Sequence, residues 1–264
     1  MKRMDILNAM IFGTGSGTPE PTPEPTPTGL SIDDFLSNTN IGALESDAAT
    51  ITEYGAKAKT SITSVKMNSL TEIPNYAFTD CSGMGTAQFD HAQAIGKYAF
   101  QRCTALTSLT VPMLQKIGNY SFSRCSQLAS IDISNLQEIG DNCFEHCSAL
   151  TNETWPSLSK IGTSAFSTCL GLVTFRAPAK SIGSTAFQAS SNLERVILTG
   201  DTVCSLYNYN AFNGTKARDT STANGGIFVP DELYDSYITA NNWAVLHNTY
   251  GIMHKISELP EEYR

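Results

Sequence analysis

The feature that most constrains this chain is an internal repeat. Ile73, Ile95, Ile117, Ile139 and Ile161 stand 22 residues apart, and Ile182 follows after 21. Each opens a similar phrase: IPNYAFTDC, IGKYAFQRC, IGNYSFSRC, IGDNCFEHC, IGTSAFSTC and IGSTAFQAS. Counting back 22 residues from Ile73 reaches Ile51 and ITEYGAKAK, a degenerate first copy with Ala56 in the place of Phe. One copy is too short to bury its own apolar face, but a stack of copies is not. The spacing therefore predicts a solenoid with a continuous core.

The second half of each copy has its own spacing. Leu106, Leu109 and Val111 recur as Leu128, Ile131 and Ile133, as Leu172, Phe175 and Ala177, and as Leu193, Val196 and Leu198. In this L-x-x-L-x-L pattern the last two apolar residues are two apart, as on the inward face of a strand. Successive strands then lie side by side and parallel, as one sheet along the solenoid. Pro112, Pro156 and Pro178 close three of these strands, because a residue without an N–H cannot continue a ladder. The glycine after each isoleucine, at 96, 118, 140, 162 and 183, marks a tight turn or a close backbone approach.

Taken together, I-G-x-x-A-F-x-x-C followed by L-x-x-L-x-L-P resembles the BspA-like, or Treponema-type, leucine-rich repeats, over about residues 51–200. The ending IFVPDELYDSYITANNW is similar to the closing segment of such proteins: a last strand, a proline, a short amphipathic helix and a buried Trp243. The resemblance implies a β-rich α/β repeat protein, a right-handed leucine-rich-repeat solenoid with a parallel sheet and terminal caps. It also implies a non-catalytic, surface-exposed protein that binds a protein or glycan on a host or neighbouring cell. A second group of similar chains, from phages and prophages of gut Firmicutes, combines a short leader, a low-complexity spacer and this kind of cap. The sequence resembles that group more, which implies a phage virion accessory or receptor-binding protein in multimeric display. The alternative is an exported bacterial cell-surface adhesin.

Residues 18–28 read TPEPTPEPTPT, with proline at every second position, which favours an extended polyproline II rod. At about 3.1 Å per residue this linker holds what precedes it on the order of 30 Å from the body. Residues 1–17 are accordingly expected to be a docking peptide, with Ile6, Leu7, Met10, Ile11 and Phe12 anchoring it in another virion or surface protein. The stretch from Ile6 to Phe12 is interrupted by Asn8 and lacks a small-x-small cleavage pattern, unlike a signal peptide. Residues 29–50 are expected to cap the N-terminal end of the stack. Leu30, Ile32, Phe35 and Leu36 supply apolar groups there, and Asp33 and Asp34 favour a helix over part of the first turn. The solenoid follows over 51–226, as about seven repeats and an irregular last turn, and a strand–helix cap over 227–264.

With 17 basic against 25 acidic residues, a net charge of -8 and no dense Lys/Arg cluster, the chain is not expected to bind nucleic acid or an anionic membrane. No run approaches the roughly 18 apolar residues of a membrane span. His91, His146, His247 and His254 are scattered, without a Ser, Cys or carboxylate partner at any recurring spacing, so no catalytic, metal or cofactor site is expected. Cys81, Cys103, Cys125, Cys147 and Cys169 each fall three residues after the repeat Phe and stack in a column. Adjacent strands lie about 4.7–4.9 Å apart, wider than the roughly 3.8 Å between disulfide Cβ atoms. With Cys143 and Cys204 the total is an odd seven, and there is no C-x-x-C pair for zinc. The column is therefore expected to hold buried reduced thiols, suited to a protein made in a reducing cytosol. Phe78, Phe100, Phe122, Phe144, Phe166 and Phe187 form the parallel column that stabilises the stack.

The most regular candidate surface is the outer face of the sheet. Its outward residues form one column of Lys66, Gln88, Thr110, Asp132, Thr154, Arg176 and Ile197. Beside it runs a second of Ser64, Thr86, Ser108, Ser130, Asn152, Thr174 and Arg195. Arg176 and Arg195 are the residues of strong-anchor type among them. A second candidate is the distal end, with Tyr207, Tyr209 and the polar loop 213–226. Two departures from the pattern stand out. Glu153 occupies a core position, where an unpaired buried carboxylate is too costly, so a shifted strand or a solvent-reaching side chain is expected. Asn210-Ala211-Phe212 echoes the A-F phrase 25 residues after Phe187.

Overall fold

The computed structural model describes residues 43–46 (backbone only), 51, 56–151, 154–219 and 225–264. The docking peptide with Ile6 to Phe12, the proline spacer, the apolar residues Leu30 to Leu36, and Asn152 with Glu153 lie outside the described residues.

The L-x-x-L-x-L halves form the main sheet. Its first part runs in the order β1 (Ala43–Ser46), β2 (Ser64–Met67), β4 (Thr86–Phe89), β6 (Ser108–Thr110) and β8 (Ser130–Ile131). All pairs are parallel, and Lys66, Gln88 and Thr110 are direct neighbours. Its second part runs β11 (Thr174–Ala177), β13 (Arg195–Leu198), β15 (Gly226–Val229) and β16 (Met253–Lys255). Among the described residues a parallel bridge between Thr154 and Arg176 extends the second part towards the first. Ala43 pairs with Ser64, so residues 43–46 are a strand of the first turn and not part of a capping helix.

The isoleucine phrases make a second sheet that the sequence reading leaves as turns. Each contributes two residues: β3 (Glu72–Ile73), β5 (Ala94–Ile95), β7 (Lys116–Ile117), β9 (Glu138–Ile139), β10 (Lys160–Ile161), β12 (Ser181–Ile182) and β14 (Ser205–Leu206). All are parallel, with the isoleucines aligned across the sheet. The following glycines allow close approach rather than unusual torsions. A Cβ on Gly162 would lie 2.5 Å from the carbonyl carbon of Gly140, and one on Gly183 2.4 Å from the amide nitrogen of Thr163.

The left-handed conformations fall elsewhere, on non-glycine residues. Tyr76, Tyr98, Tyr120, Asn142, Ser164 and Thr185 have φ between 51° and 59°, and Asp80, Arg102, Arg124, His146, Thr168 and Ala189 between 58° and 67°. Such angles cost energy away from glycine, but here they aim backbone groups at the next turn. Tyr98, Phe100 and Arg102 donate their N–H groups to the carbonyls of Asn119, Ser121 and Ser123 at 2.8–2.9 Å. The third side of the solenoid is thus also a hydrogen-bonded ladder, and its backbone donors are satisfied without strand geometry.

Inside, the phenylalanines stack. Ring centroids from Phe78 through Phe100, Phe122, Phe144, Phe166 and Phe187 to Phe212 are 5.2–5.5 Å apart, with planes within 13°. Phe212 continues the column, as its 25-residue echo predicts. All seven cysteines are buried and free. They are more than small apolar groups. Cys81, Cys103, Cys125, Cys147 and Cys169 each donate an S–H to the carbonyl 25 residues earlier, at 3.0–3.1 Å. In the next turn Ser190 does the same to Phe166 at 2.6 Å.

The C-terminal end is closed by α1 (Tyr234–Thr239) and α2 (Asn241–Tyr250). Trp243 ends the aromatic column, 6.1 Å from Phe212. Its indole N–H donates to the Cys204 carbonyl at 2.6 Å, while the Tyr237 hydroxyl accepts from the Cys204 N–H at 2.8 Å. Asn242 donates to the carbonyls of Leu206 and Tyr207, at the free edge of the second sheet. Three cap side chains thus meet the backbone groups that the last turn leaves without a following turn.

Candidate binding surfaces

The outer face of the main sheet divides in two. From β2 to Thr154 it is open: Thr86, Ser108, Thr110, Ser130 and Thr154 are exposed, and Ser64, Lys66, Gln88 and Asp132 are half-buried. Neighbouring side chains hold several of these in place. The Gln88 amide donates to the Asp90 carboxylate at 2.7 Å, and Asp132 accepts from the N–H and the hydroxyl of Ser134. Because the strands are in register, each row repeats at the strand spacing of about 4.8 Å.

From β11 onward the same face is roofed by residues 256–264. Arg195 is only 6% exposed, with its guanidinium 4.0 Å from the centre of the Tyr263 ring. It also receives Glu194 at 3.5 Å and bonds Thr174 at 3.3 Å. Arg176 donates to the Tyr263 carbonyl. The expectation that Arg176 and Arg195 are free anchors is therefore corrected. Both point outward from the sheet, but their charged ends serve the C-terminal segment. Ile197 and Phe228, outward in the Arg176 row, are buried against Leu259.

At the distal end Tyr207 is 77% exposed and Tyr209 partly so. The neighbouring segment is less of a loop than the sequence reading expects. Thr215 and Ala217 are buried, Lys216 pairs with Glu194 at 3.2 Å, and Arg218 lies over the Tyr250 ring at 4.1 Å. Residues 220–224 lie outside the described residues.

A further surface was overlooked. Tyr76, Tyr98 and Tyr120 stack with centroids 4.9 Å apart and planes within 5°. They run along the left-handed side, half-buried, beside the Asp80–Arg102 pair, where the guanidinium bonds at 2.8 Å hold the Asp80 carboxyl below the usual range. The signal is present in the phrases IPNYAF, IGKYAF and IGNYSF, where Tyr recurs at the same 22-residue interval as Ile and Phe. No group of three His, Cys, Asp or Glu side chains among the described residues is placed to hold a metal. No helix among those residues is long and apolar enough to cross a membrane.

This geometry agrees with what the chain is similar to. The crystal structure of a leucine-rich repeat protein from T. pallidum superposes with a TM-score of 0.54 and 26% identity, covering 66% of this chain and 81% of that one. A leucine-rich repeat protein from Bacteroides ovatus aligns at a TM-score of 0.48 and 18% identity, over 75% of this chain and 63% of that one. A leucine rich cell surface protein from Faecalibacterium prausnitzii gives 0.25 and 14%, over 67% and 77%. The first of these carries the likeness. No curated protein matches. The BspA type leucine rich repeat region matches residues 49–173 and 172–227, in six copies, so the chain belongs to the BspA-type leucine-rich-repeat family.

Proposed function

We propose that this chain is a non-enzymatic recognition protein, displayed at a surface, which binds a protein or glycan on a cell through the open half of its main sheet. Its family consists generally of surface proteins that bind other proteins. The observation that carries the reading is the division of the sheet face. Lys66, Gln88 and Thr110, and beside them Ser64, Thr86, Ser108 and Ser130, lie in register on this face, with Asp132 and Thr154 farther along it, and all are exposed or half-buried. Single Ser and Thr contacts are weak, but a run of them at the strand spacing engages a repetitive ligand many times over. Tyr207 and Tyr209 add an aromatic contact at the distal end.

The finer reading is a phage virion accessory or receptor-binding protein. Residues 1–17 dock it through Ile6, Leu7, Met10, Ile11 and Phe12 into another virion protein, and residues 18–28 space the solenoid from the particle. Seven free, buried thiols suit a chain that folds in a reducing cytosol and leaves by lysis. The competing form is an exported bacterial cell-surface adhesin.

Two measurements test this. Replacing Gln88, Thr110 and Thr154 together by Glu should abolish binding to susceptible cells, measured by flow cytometry, while the melting temperature stays within a few degrees. Undiminished binding would sink the sheet-face reading. Mass spectrometry of purified particles and cell envelopes should find peptides from residues 4–17 in particles, stoichiometric with other virion proteins. An envelope-bound chain beginning near Thr18 would establish the adhesin instead.

A further inference from the structure

We propose that the distal half of the main sheet is a peptide-binding seat, which residues 256–264 occupy as an internal stand-in for an acidic partner peptide carrying an aliphatic residue four positions before a tyrosine.

Three observations separate this segment from an ordinary cap. First, the solenoid is already closed without it. Tyr237, Trp243 and Asn242 satisfy the last turn, and β16 ends the sheet. Second, the segment does not enter the main core. Leu259, fully buried, forms a satellite cluster with Ile197 and Phe228, flanked by Ile256 and Tyr263. Third, the outward column changes character under it. Where the open half reads Lys66, Gln88, Thr110, Asp132 and Thr154, the roofed half reads Arg176, Ile197 and Phe228. Two neighbouring apolar residues at outward positions, with Arg176 and Arg195 beside Ile197 and His254 beyond Phe228, form a docking patch when uncovered.

The contacts of the stand-in define the chemistry. Leu259 fills the apolar part between Ile197 and Phe228. Four residues on, the Tyr263 ring lies over the Arg195 guanidinium and its carbonyl accepts from Arg176. The segment ISELPEEYR carries three glutamates against one arginine. That arginine, Arg264, turns back onto the carbonyls of Leu259 and Ser257 at 2.8 Å, so it makes a self-folded clip and leaves Arg176 and Arg195 to the segment's tyrosine. The clip joins the body at the end of β16, with the Ser257 N–H bonded to Asp231. A partner peptide with the same aliphatic and tyrosine spacing would reproduce the Leu259 and Tyr263 contacts and displace the clip without opening the core.

The test uses the full chain with a protease site inserted between Lys255 and Ile256, cut after folding. Fluorescently labelled ISELPEEYR, added in excess, should exchange into the nicked protein with saturable anisotropy. Its Tyr→Ala version should compete at least tenfold less well, Arg176→Gln in the nicked chain should weaken capture, and added salt should weaken it further. The uncut chain should capture the same peptide at least tenfold more weakly, because its own tethered clip competes for the seat. The seat is refuted if cutting unfolds the solenoid by circular dichroism, if the cut segment neither leaves nor exchanges, or if cut and uncut chains respond alike. Concentration-dependent dimers of the uncut chain would assign the seat to a second copy's segment and overturn the foreign partner.

Discussion

In the turns from Ala56 to Thr151 a side chain mostly meets copies of itself, whereas beyond Thr154 only the phenylalanine and isoleucine columns keep doing so and other positions meet something different on each side. Phe100 lies between Phe78 and Phe122 with nearly parallel rings, and Tyr98 lies between Tyr76 and Tyr120. Past that region the same positions hold, but the partners change. Trp155 meets Phe144 and Phe166 edge-on and stacks 6.0 Å from Phe175, while Ala177 stands one period later. Ser190 takes over from cysteine, and the Cys204 backbone is served by two cap side chains. Repetition spreads a contact over many turns, while termination concentrates it in one.

Alkaline titration should break this contrast most severely. Burial raises the thiols of Cys81, Cys103, Cys143, Cys147 and Cys169 in the stack, Cys81 to about 12, and that of Cys204 at the end, also to about 12. The unfolded chain ionises them near pH 8.5, so their contribution is complete below that pH. It falls as pH climbs above that value, by up to about 1.4 kcal/mol per unit for a thiol such as Cys81 or Cys204. Several thiols lose it together, against the roughly 5–15 kcal/mol that holds an ordinary domain. Denaturant midpoints should therefore collapse between pH 9 and 11, and a flat profile to pH 11 would contradict the buried-thiol column.

Next in size, Phe122→Ala should cost about 3–5 kcal/mol by urea denaturation, since rings on both sides face the void. Trp243→Phe sharpens the contrast from the other end. It keeps an aromatic ring beside Phe212 but strands the Cys204 carbonyl, for a loss of about 1–3 kcal/mol. Tyr98→Asn, which installs the residue found at position 142, should cost about 1 kcal/mol in lost stacking. Smallest of all, Cys147→Ser should fall below about 1 kcal/mol, because Ser190 already performs that bond in its own turn.

The repeat makes the main sheet, the inward columns and the echo at Phe212 legible in the sequence, and the resemblance of the closing segment does so for the buried Trp243. Residues recurring at a fixed interval report on themselves. The second sheet was not legible, because two residues per turn are too few to show a period-2 alternation. Nor were the left-handed positions, which fall on Tyr, Arg and Asn rather than glycine, since the hydrogen bond gained to the next turn outweighs the torsional cost. The largest error lies at Arg176 and Arg195. Their rows continue the outward columns faithfully, but the segment that covers them contains no repeat and gives no local sign of where it lands.

The ladders on all three sides run bond by bond along the stack axis, and this gives the molecule a mechanical character. A pull between the two ends loads the turns in series, so one gives way while its neighbours hold. Each turn released pays out about 22 residues, on the order of 75 Å of chain. A solenoid gripped on its face and tethered through its leader would lengthen in steps under load, and would remain attached while doing so.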